Sequence, residues 1–257
     1  MSDTASTAGD IPVSDGADSG ETDPGGGEQS GNEYTFADVS VVMGTYNEEE
    51  AIGTVLRDIE AVTDGNAEVV CVDGSSDRTP EIAREHGARV IDQEPQGYGV
   101  AVREAILAPD RPVVVTTDCD DTYPMEQLPE FLALINEGYD VVSGDRLYHG
   151  AEAMPALNRL GNHLFALAAS VLMGTRVHDT TTGMRAYRRE VVESIEWTEN
   201  TGLSAELLIR PLMWGYDVRE HPIDYRERAG ESKLDPIEGG DAIAKSILRV
   251  ALDERFR

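Results

Sequence analysis

Short apolar runs alternate with longer stretches of helical periodicity along the first half of the chain. Ile52, Val55, Leu56 and Ile59 recur at the spacing of one helix face, whereas residues 112–117 form a β-branched run typical of a buried strand. The predicted order is strand 39–43, helix 48–62, strand 68–72, helix 79–86, strand 89–92, helix 99–107, strand 112–117, helix 126–136 and strand 140–143. This order predicts an α/β fold with a mostly parallel sheet flanked by helices.

The second half of the chain has a different pattern. Residues 158–173 have a broad apolar helix face, residues 203–214 form another helix pattern, and residues 217–225 alternate like a strand. A last helix is predicted from about residue 240 to residue 253. We therefore expect a helical and β-hairpin region to follow the sheet.

The charge and composition of the chain exclude some classes of function and predict an acidic N-terminal tail. Forty-nine acids against 21 lysines and arginines give a formal charge of −28, which excludes a generic nucleic-acid binder because phosphate contacts need a basic face. Only Lys233 and Lys245 are lysines, and the acids are spread along the chain, as in proteins adapted to high salt. Residues 1–36 contain eight acids and no lysine or arginine, so we expect a disordered acidic tail before a single folded domain at 37–257.

Cysteine usage and hydropathy predict the compartment. Cys71 and Cys119 both lie in apolar strand patterns, where buried, reduced thiols are expected. No run approaches the ~18–20 apolar residues of a membrane span, and no signal peptide opens the chain. We expect a cytoplasmic protein that does not itself cross the membrane.

Polar, acidic segments follow three of the predicted strands, at residues 45–48, 73–79 and 118–121. Each alone is an ordinary turn or helix cap. Together they converge at the carboxyl ends of parallel strands, where α/β sheets bind ligands. Asp118 and Asp120 supply the hard oxygen ligands that Mg²⁺ or Mn²⁺ prefers, and such a metal would neutralise a diphosphate that this acidic chain would otherwise repel.

The ordered motifs resemble family 2 glycosyltransferases with the GT-A (Rossmann-like) fold, and within them the dolichol-phosphate mannose and glucose synthases. The motifs are Tyr-Asn-Glu at 46–48, Asp-Gly-Ser-x-Asp-x-Thr at 73–79, Gly-x-Gly-x-Ala at 97–101, Asp-x-Asp at 118–120 and Gly-x-Arg at 144–146. The resemblance implies inverting transfer of a hexose from GDP-mannose or UDP-glucose to dolichyl or polyprenyl phosphate, supplying a lipid-linked sugar for protein glycosylation. Residues 37–147 would form the nucleotide-sugar-binding half and residues 148–257 the acceptor-binding half.

The resemblance also implies which residues bind the donor. Tyr46 and Glu48, with Asp73, would hold the base and ribose. The full donor set is Thr45, Tyr46, Glu48, Asp73, Gly97, Gly99, Arg103, Asp118, Cys119, Asp120, Arg146, Arg228 and Lys233. Asp118 and Asp120 would bind the metal, and either Thr122 or Asp121 would take the third ligand position.

The acceptor is expected to meet a loop at residues 179–185. The resemblance places Asp179, Thr181, Thr182, Gly183, Arg185 and Ser232 at the acceptor. Arg185, with Arg146 and Arg159 as secondary candidates, is expected to bind the acceptor phosphate. A phosphate monoester needs no strong base, so Glu206 is only a candidate for orienting the sugar or acceptor, or else a carboxylate favoured by the helix dipole. The predicted catalytic set is Asp118, Asp120, Arg146, Arg185 and Glu206.

The lipid tail of such an acceptor needs an apolar surface. Residues 154–173 are either an interfacial element that rests on the cytoplasmic face of the membrane or an ordinary core helix pair. Attachment through a membrane-bound partner is a further possibility.

Three other functions compete with this prediction. A family 2 enzyme that extends a saccharide would need a clear general base. A nucleotidyltransferase would need a basic, glycine-rich loop after the first strand, where this chain has Tyr46, Asn47 and Glu48. A catalytically silent nucleotide-sugar-binding protein would be favoured by loss of the Asp-x-Asp, which is present.

Overall fold

The computed structural model describes residues 33–229 and 236–255. The strands are β1 Val39–Thr45, β2 Glu68–Asp73, β3 Arg89–Asp92, β4 Val113–Thr116, β5 Val141–Asp145, β6 Arg185–Arg188 and β7 Val218–Pro222. The helices are α1 Ile52–Thr63, α2 Thr79–Glu85, α3 Tyr98–Leu107, α4 Leu128–Asn136, α5 Ala156–Met173, α6 Arg189–Ser194, α7 Leu203–Met213 and α8 Pro236–Arg255. Single 3₁₀ turns occupy Phe36–Asp38 and Met125–Gln127.

One seven-stranded sheet of order β3-β2-β1-β4-β6-β5-β7 forms the centre of the described residues. Only β6 runs antiparallel to its neighbours, β4 and β5. The predicted mostly parallel sheet is therefore confirmed. The predicted β-hairpin does not occur in the described part of the second half, because β6 and β7 both join the main sheet instead.

The side-chain alternation of β1 explains why helices cover both faces of the sheet. Val41 and Met43 pack with α1 on one face, while Val42 packs with Val102 and Ile106 of α3 on the other. Successive residues of a strand point to opposite faces, so a continuous apolar run needs cover on both sides. A third apolar cluster joins α5, α7 and α8.

The folded region begins earlier than the predicted residue 37. Tyr34 exchanges two backbone hydrogen bonds with the side chain of Asn136, and its ring lies under the guanidinium of Arg188. Phe36 packs against the core on the α1 side. Burial of these aromatic side chains offsets the conformational entropy lost when residues 34–36 become ordered. The acidic composition of residues 1–36 predicts too little apolar burial for this.

Strand β6 and helix α6 are absent from the sequence prediction. The strand reads Arg-Ala-Tyr-Arg, which has no apolar run and lies beside a segment assigned to an acceptor loop. Its position at the centre of the sheet is nevertheless almost fully buried. Tyr187 keeps its buried hydroxyl satisfied by donating to the carbonyl of Leu207.

Candidate active site

The carboxyl ends of β1, β2 and β4 meet around a cavity of about 360 Å³. Its walls combine the loop after β1, the loop before α3 and the Asp-x-Asp segment after β4. The lining residues are Gly44, Thr45, Tyr46, Glu48, Gly74, Gln93, Pro95, Gln96, Gly97, Tyr98, Ala101, Asp118, Cys119, Asp120 and Arg228. Most of the predicted donor residues therefore come together at one place.

Hydrogen bonds to the loop after β2 fix the loop after β1. Thr45 donates to the Asp73 carboxylate, and that carboxylate also accepts from the amide and hydroxyl of Ser75. The Glu48 amide donates to Thr79 over 2.8 Å. Asp73 therefore holds the two loops together behind the cavity, whereas Tyr46, 48% exposed, lies at the cavity mouth.

The Asp-x-Asp segment lies at the base of the cavity, where Asp120 is buried and Asp118 is partly exposed. The Tyr98 hydroxyl donates to Asp118 over 3.2 Å, and the amide and hydroxyl of Thr122 donate to Asp120. Thr122 therefore orients the Asp120 carboxylate. This role differs from the one predicted for Thr122, which was to bind the metal itself. Burial, followed by the neighbouring charge of Asp120, raises the pKa of Asp118 to about 7. Two neighbouring carboxylates with limited access to solvent repel each other, so a bound cation would stabilise them.

Arg228 supplies positive charge to this pair. Its guanidinium donates to Asp120 and to Glu48, each over 2.5 Å, and so links the loop after β1 to the loop after β4. The backbone nearby is held in place because the amides of Arg226 and Ala229 donate to the carbonyls of Thr122 and Asp120. Lys233 and Ser232, predicted in the following loop, lie outside the described residues.

The glycines before α3 have different roles. Gly97 has φ of +105° and lines the cavity. Gly99 is away from the cavity lining, and a Cβ there would lie 2.2 Å from the Asn200 carbonyl oxygen. The Asn200 side chain accepts from the Gly99 amide and donates to the Gln96 carbonyl. Gly99 thus permits close packing of the 195–202 loop, which differs from its predicted contact with nucleotide.

Cys119 lines the cavity as a buried thiol. Burial, together with the charges of Glu48 and both aspartates, raises the pKa of Cys119 well above its ordinary value. The thiol therefore stays neutral and acts as part of the apolar wall.

The predicted acceptor loop lies directly against the Asp-x-Asp segment. A Cβ on Gly183 would stand 2.6 Å from an oxygen of Asp118, so only glycine allows this approach. The Gly183 amide donates to the Tyr123 hydroxyl over 2.6 Å. Thr182 is fully buried at this turn, and its hydroxyl accepts from the amide of Met184. The structure thus brings the donor and acceptor segments together.

Arg146 forms a buried, two-pronged ion pair with Asp179. Its Nε and Nη2 donate to the two carboxylate oxygens over 2.7 and 2.9 Å, and Nη2 also donates to Thr181. Burial alone would raise the pKa of Asp179, but the charge of Arg146 lowers it below its ordinary value. The Arg146 guanidinium also lies over the ring of Tyr225. The structure therefore places this pair beneath the loop, outside the cavity lining.

Arg185 lies within the sheet, and its predicted contact with the acceptor phosphate does not match this position. It begins β6, has no exposed surface, and donates to the Ser143 hydroxyl and the Thr180 carbonyl over 3.0 Å each. Its Nη1 has no hydrogen-bond partner among the described residues. The side chain supports the acceptor loop from below.

Two further predicted residues are placed elsewhere. Glu206 is fully buried, and its carboxylate accepts from Thr198, Glu199 and Arg210. Those contacts hold the loop before α7, so Glu206 does not face the cavity. Arg103 donates to the Trp197 carbonyl and supports the same loop.

Sequence reasoning missed Tyr98, Tyr123 and Asn200. Tyr98 lies between Gly97 and Gly99, and Tyr123 follows the Asp-x-Asp segment. The available signal was therefore a tyrosine, whose hydroxyl can form hydrogen bonds, within or beside a predicted ligand-binding motif. Asn200 offers no local signal, because its role comes from contact with residues 101 positions earlier.

Two negative findings hold for the part of the chain that the structure describes. No group of three or more His, Cys, Asp or Glu side chains is arranged to hold a metal ion. No helix there has the length and apolarity that a membrane crossing requires.

Known proteins resemble this chain in sequence and in fold. A family model described as glycosyl transferase family 2 matches residues 40–196. A dolichyl-phosphate hexose transferase of Haloferax volcanii is 76% identical over 225 residues, covering 88% of this chain and 99% of the relative. A polyprenol monophosphomannose synthase of Mycolicibacterium smegmatis is 28% identical over 249 residues, covering 90% of this chain and 92% of the relative.

A solved structure shares the fold. Glucosyl-3-phosphoglycerate synthase from Mycobacterium tuberculosis, in complex with Mn²⁺, uridine diphosphate and glucosyl-3-phosphoglycerate, aligns with a TM-score of 0.67 at 24% identity. The alignment covers 84% of this chain and 79% of the other. This likeness confirms the predicted GT-A fold.

Proposed function

This chain belongs to glycosyltransferase family 2, and on that premise we propose that it transfers a hexose from a nucleotide sugar to dolichyl or polyprenyl phosphate. The observation that carries the proposal is the 76% identity to a dolichyl-phosphate hexose transferase over 99% of that relative's length. The geometry supports it, because Asp118 and Asp120 line a cavity of about 360 Å³ and Asp118 lies against Gly183 of the predicted acceptor loop. The product would supply lipid-linked sugar for protein glycosylation.

The donor would lie in the cavity with its diphosphate near Asp118 and Asp120. The exposed ring of Tyr46 at the cavity mouth is suited to contact the base, and Glu48 is suited to accept hydrogen bonds from the ribose. Gly97 lines the same cavity, and its positive φ together with the Asn200 side chain, 2.8 Å from where a Cβ would be, requires glycine at this turn. A labelling assay that compares GDP-mannose with UDP-glucose identifies the nucleotide of the donor.

A divalent metal, Mg²⁺ or Mn²⁺, fits the donor set of this site. Asp118 and Asp120 would hold it, and the small number of protein ligands suits a cation that completes its coordination with substrate phosphates and water. The raised pKa of Asp118 supports the same assignment, because its restricted contact with solvent and the neighbouring charge of Asp120 both disfavour its ionised form, which a bound cation would stabilise. When bound, the metal supplies Lewis-acid stabilisation of the departing diphosphate.

The chain's own residues would control the rest of the reaction. An oxygen of the acceptor phosphate attacks the anomeric carbon, the bond from that carbon to the diphosphate oxygen breaks, and the nucleoside diphosphate leaves with both electrons. One displacement inverts the anomeric centre. Arg228, which donates a hydrogen bond to Asp120, would stabilise the leaving diphosphate. The Arg146–Asp179 pair would fix the loop that receives the acceptor.

A labelling assay tests this proposal. Purified protein in high salt receives dolichyl phosphate, Mn²⁺ or Mg²⁺, and radiolabelled GDP-mannose or UDP-glucose, and label in the organic phase is counted. Metal-dependent labelling from one donor, lost in Asp120→Asn and retained in the exposed-carboxylate control Asp110→Asn, is expected. Folded protein that labels no lipid from either donor, yet binds a nucleotide sugar, would point to a saccharide acceptor or a silent binder.

Acting on a membrane-embedded acceptor also implies contact with the membrane. We place the protein at the cytoplasmic face as a peripheral protein, attached either directly or through a membrane-bound partner. The described helices offer one surface that distinguishes these two routes.

A further inference from the structure

Helix α5 presents five large apolar side chains to solvent. Leu157, Leu160, Leu164, Leu167 and Val171 are between 56 and 74% exposed. Their spacing of three and four residues places them within an arc of about 80° along about 21 Å of helix. We call these five residues the α5 stripe. The opposite side of α5 packs on α8 and α7 through Phe165, Ala169 and Leu172, so the stripe is not needed for the core.

The charge around the stripe is unlike that of the rest of the chain. Residues 153–178 contain no Asp or Glu, although 49 of the 257 residues are acids. The longest acid-free run elsewhere is residues 242–252. The ionisable side chains of residues 153–178 are Arg159, His163, Arg176 and His178. A helix with an apolar face, no carboxylates and two nearby arginines matches an anionic lipid surface better than the acid-rich segments of this chain do.

The stripe also lies at a suitable distance from the acceptor loop. Asn162, on the side of α5 opposite the stripe, accepts a hydrogen bond from the Thr181 hydroxyl over 3.0 Å. Since a helix with its side chains is about 10 Å across, the width of α5 separates the stripe from that loop. A helix that buries its apolar face at the acyl boundary would therefore hold the loop near the depth of the lipid headgroups.

From these observations we infer that the α5 stripe binds directly to the surface of an anionic bilayer and holds the acceptor loop at the level of the lipid phosphates. The inference rests on the proposed function for the purpose of this contact. The contact itself needs no membrane-bound partner protein.

Vesicle flotation tests the contact. The probes are vesicles of phosphatidylglycerol and phosphatidylcholine without dolichyl phosphate, at high and low KCl. Wild-type protein is expected to float with the vesicles, and Leu164→Gln/Leu167→Gln to lose roughly tenfold or more of its vesicle partitioning. The control Leu107→Gln makes the same change at an exposed leucine of α3 and is expected to bind as wild type.

Two further measurements separate failure of this inference from failure of the proposed function. Transfer to a short, water-soluble polyprenyl phosphate should be equal in wild type and the double variant, which also shows that the variant is folded. If wild type transfers to the soluble acceptor but does not float, the inference is overturned. If sedimentation shows a wild-type dimer that the double variant converts to a monomer, the stripe is a subunit interface and the inference is again overturned. Absence of transfer to any acceptor, with flotation intact, counts against the proposed function alone.

Discussion

The cavity and the predicted acceptor loop at residues 179–185 use charged residues in opposite ways. At the cavity, Glu48 and Asp120 line the wall and share Arg228 as a counter-ion. At the loop, Arg146 and Asp179 pair with each other beneath the backbone that they support. Both sets belong to family motifs. Motif membership therefore indicates that a residue is constrained, and its partners decide whether the constraint serves binding or architecture.

The largest expected effect concerns the ion pair beneath the predicted acceptor loop. Asp179→Asn leaves the buried guanidinium of Arg146 without its charged partner, so we expect unfolding free energy to fall by about 3–5 kcal/mol. Urea unfolding at constant high salt measures it. Asp110→Asn, which removes an exposed carboxylate near Arg189, should leave the midpoint unchanged. A variant of Asp179 with wild-type stability but no transfer would show that this carboxylate contacts substrate instead.

A smaller effect is expected from Arg228, the counter-ion at the cavity. Arg228→Gln should lower kcat/KM for the nucleotide sugar roughly 10- to 100-fold, because a hydrogen bond to a charged group contributes about 1.5–3 kcal/mol. Stability should change little, since Arg228 is only partly buried. Arg226→Gln is the matched control, because Arg226 pairs with Asp58, Asp121 and Glu126 away from the cavity lining. Equal losses in the two variants would contradict a specific role for Arg228.

The smallest effect concerns the contact between Gly99 and Asn200 in the loop before α7. Gly99→Ala should cost about 1–3 kcal/mol of stability, because its Cβ would meet the Asn200 backbone at 2.2 Å. Adding Asn200→Ala should not rescue it, since the nearest contact is the carbonyl oxygen. Thermal unfolding of the single and double variants measures this. Full rescue by Asn200→Ala would show that the Asn200 side chain, and not its backbone, sets the requirement for glycine.

The elements that could be predicted from sequence are those whose signal is local. Buried parallel strands such as β1 and β4 appear as apolar runs, and helices such as α1 appear as periodic apolar positions. Strand β6 has no such signal, because the buried guanidinium of Arg185 is held by hydrogen bonds to Ser143 and Thr180, which come from a different strand and a preceding loop. Tertiary contacts thus override the polar pattern of that segment.

The candidate site divides in the same way. Convergence of the loops after β1, β2 and β4 follows from the parallel topology, so Tyr46, Glu48, Asp118 and Asp120 could be predicted as neighbours. The pairing of Arg146 with Asp179, 33 residues apart, could not be read from either motif alone. The helix pattern gives no reason to expect that the Glu206 carboxylate is buried. In the structure it accepts hydrogen bonds from the amides of the loop that precedes α7.

The central claim is that Asp118 and Asp120 bind the donor diphosphate through a divalent cation. Calorimetric titration of GDP and of UDP, with and without Mn²⁺, into wild-type protein and Asp120→Asn tests it most directly. We predict that one nucleotide binds wild type at least roughly tenfold more tightly with Mn²⁺, a difference of about 1.4 kcal/mol, and that the variant loses this gain. Equal binding with and without metal in wild type, or an undiminished metal effect in Asp120→Asn, would contradict the claim.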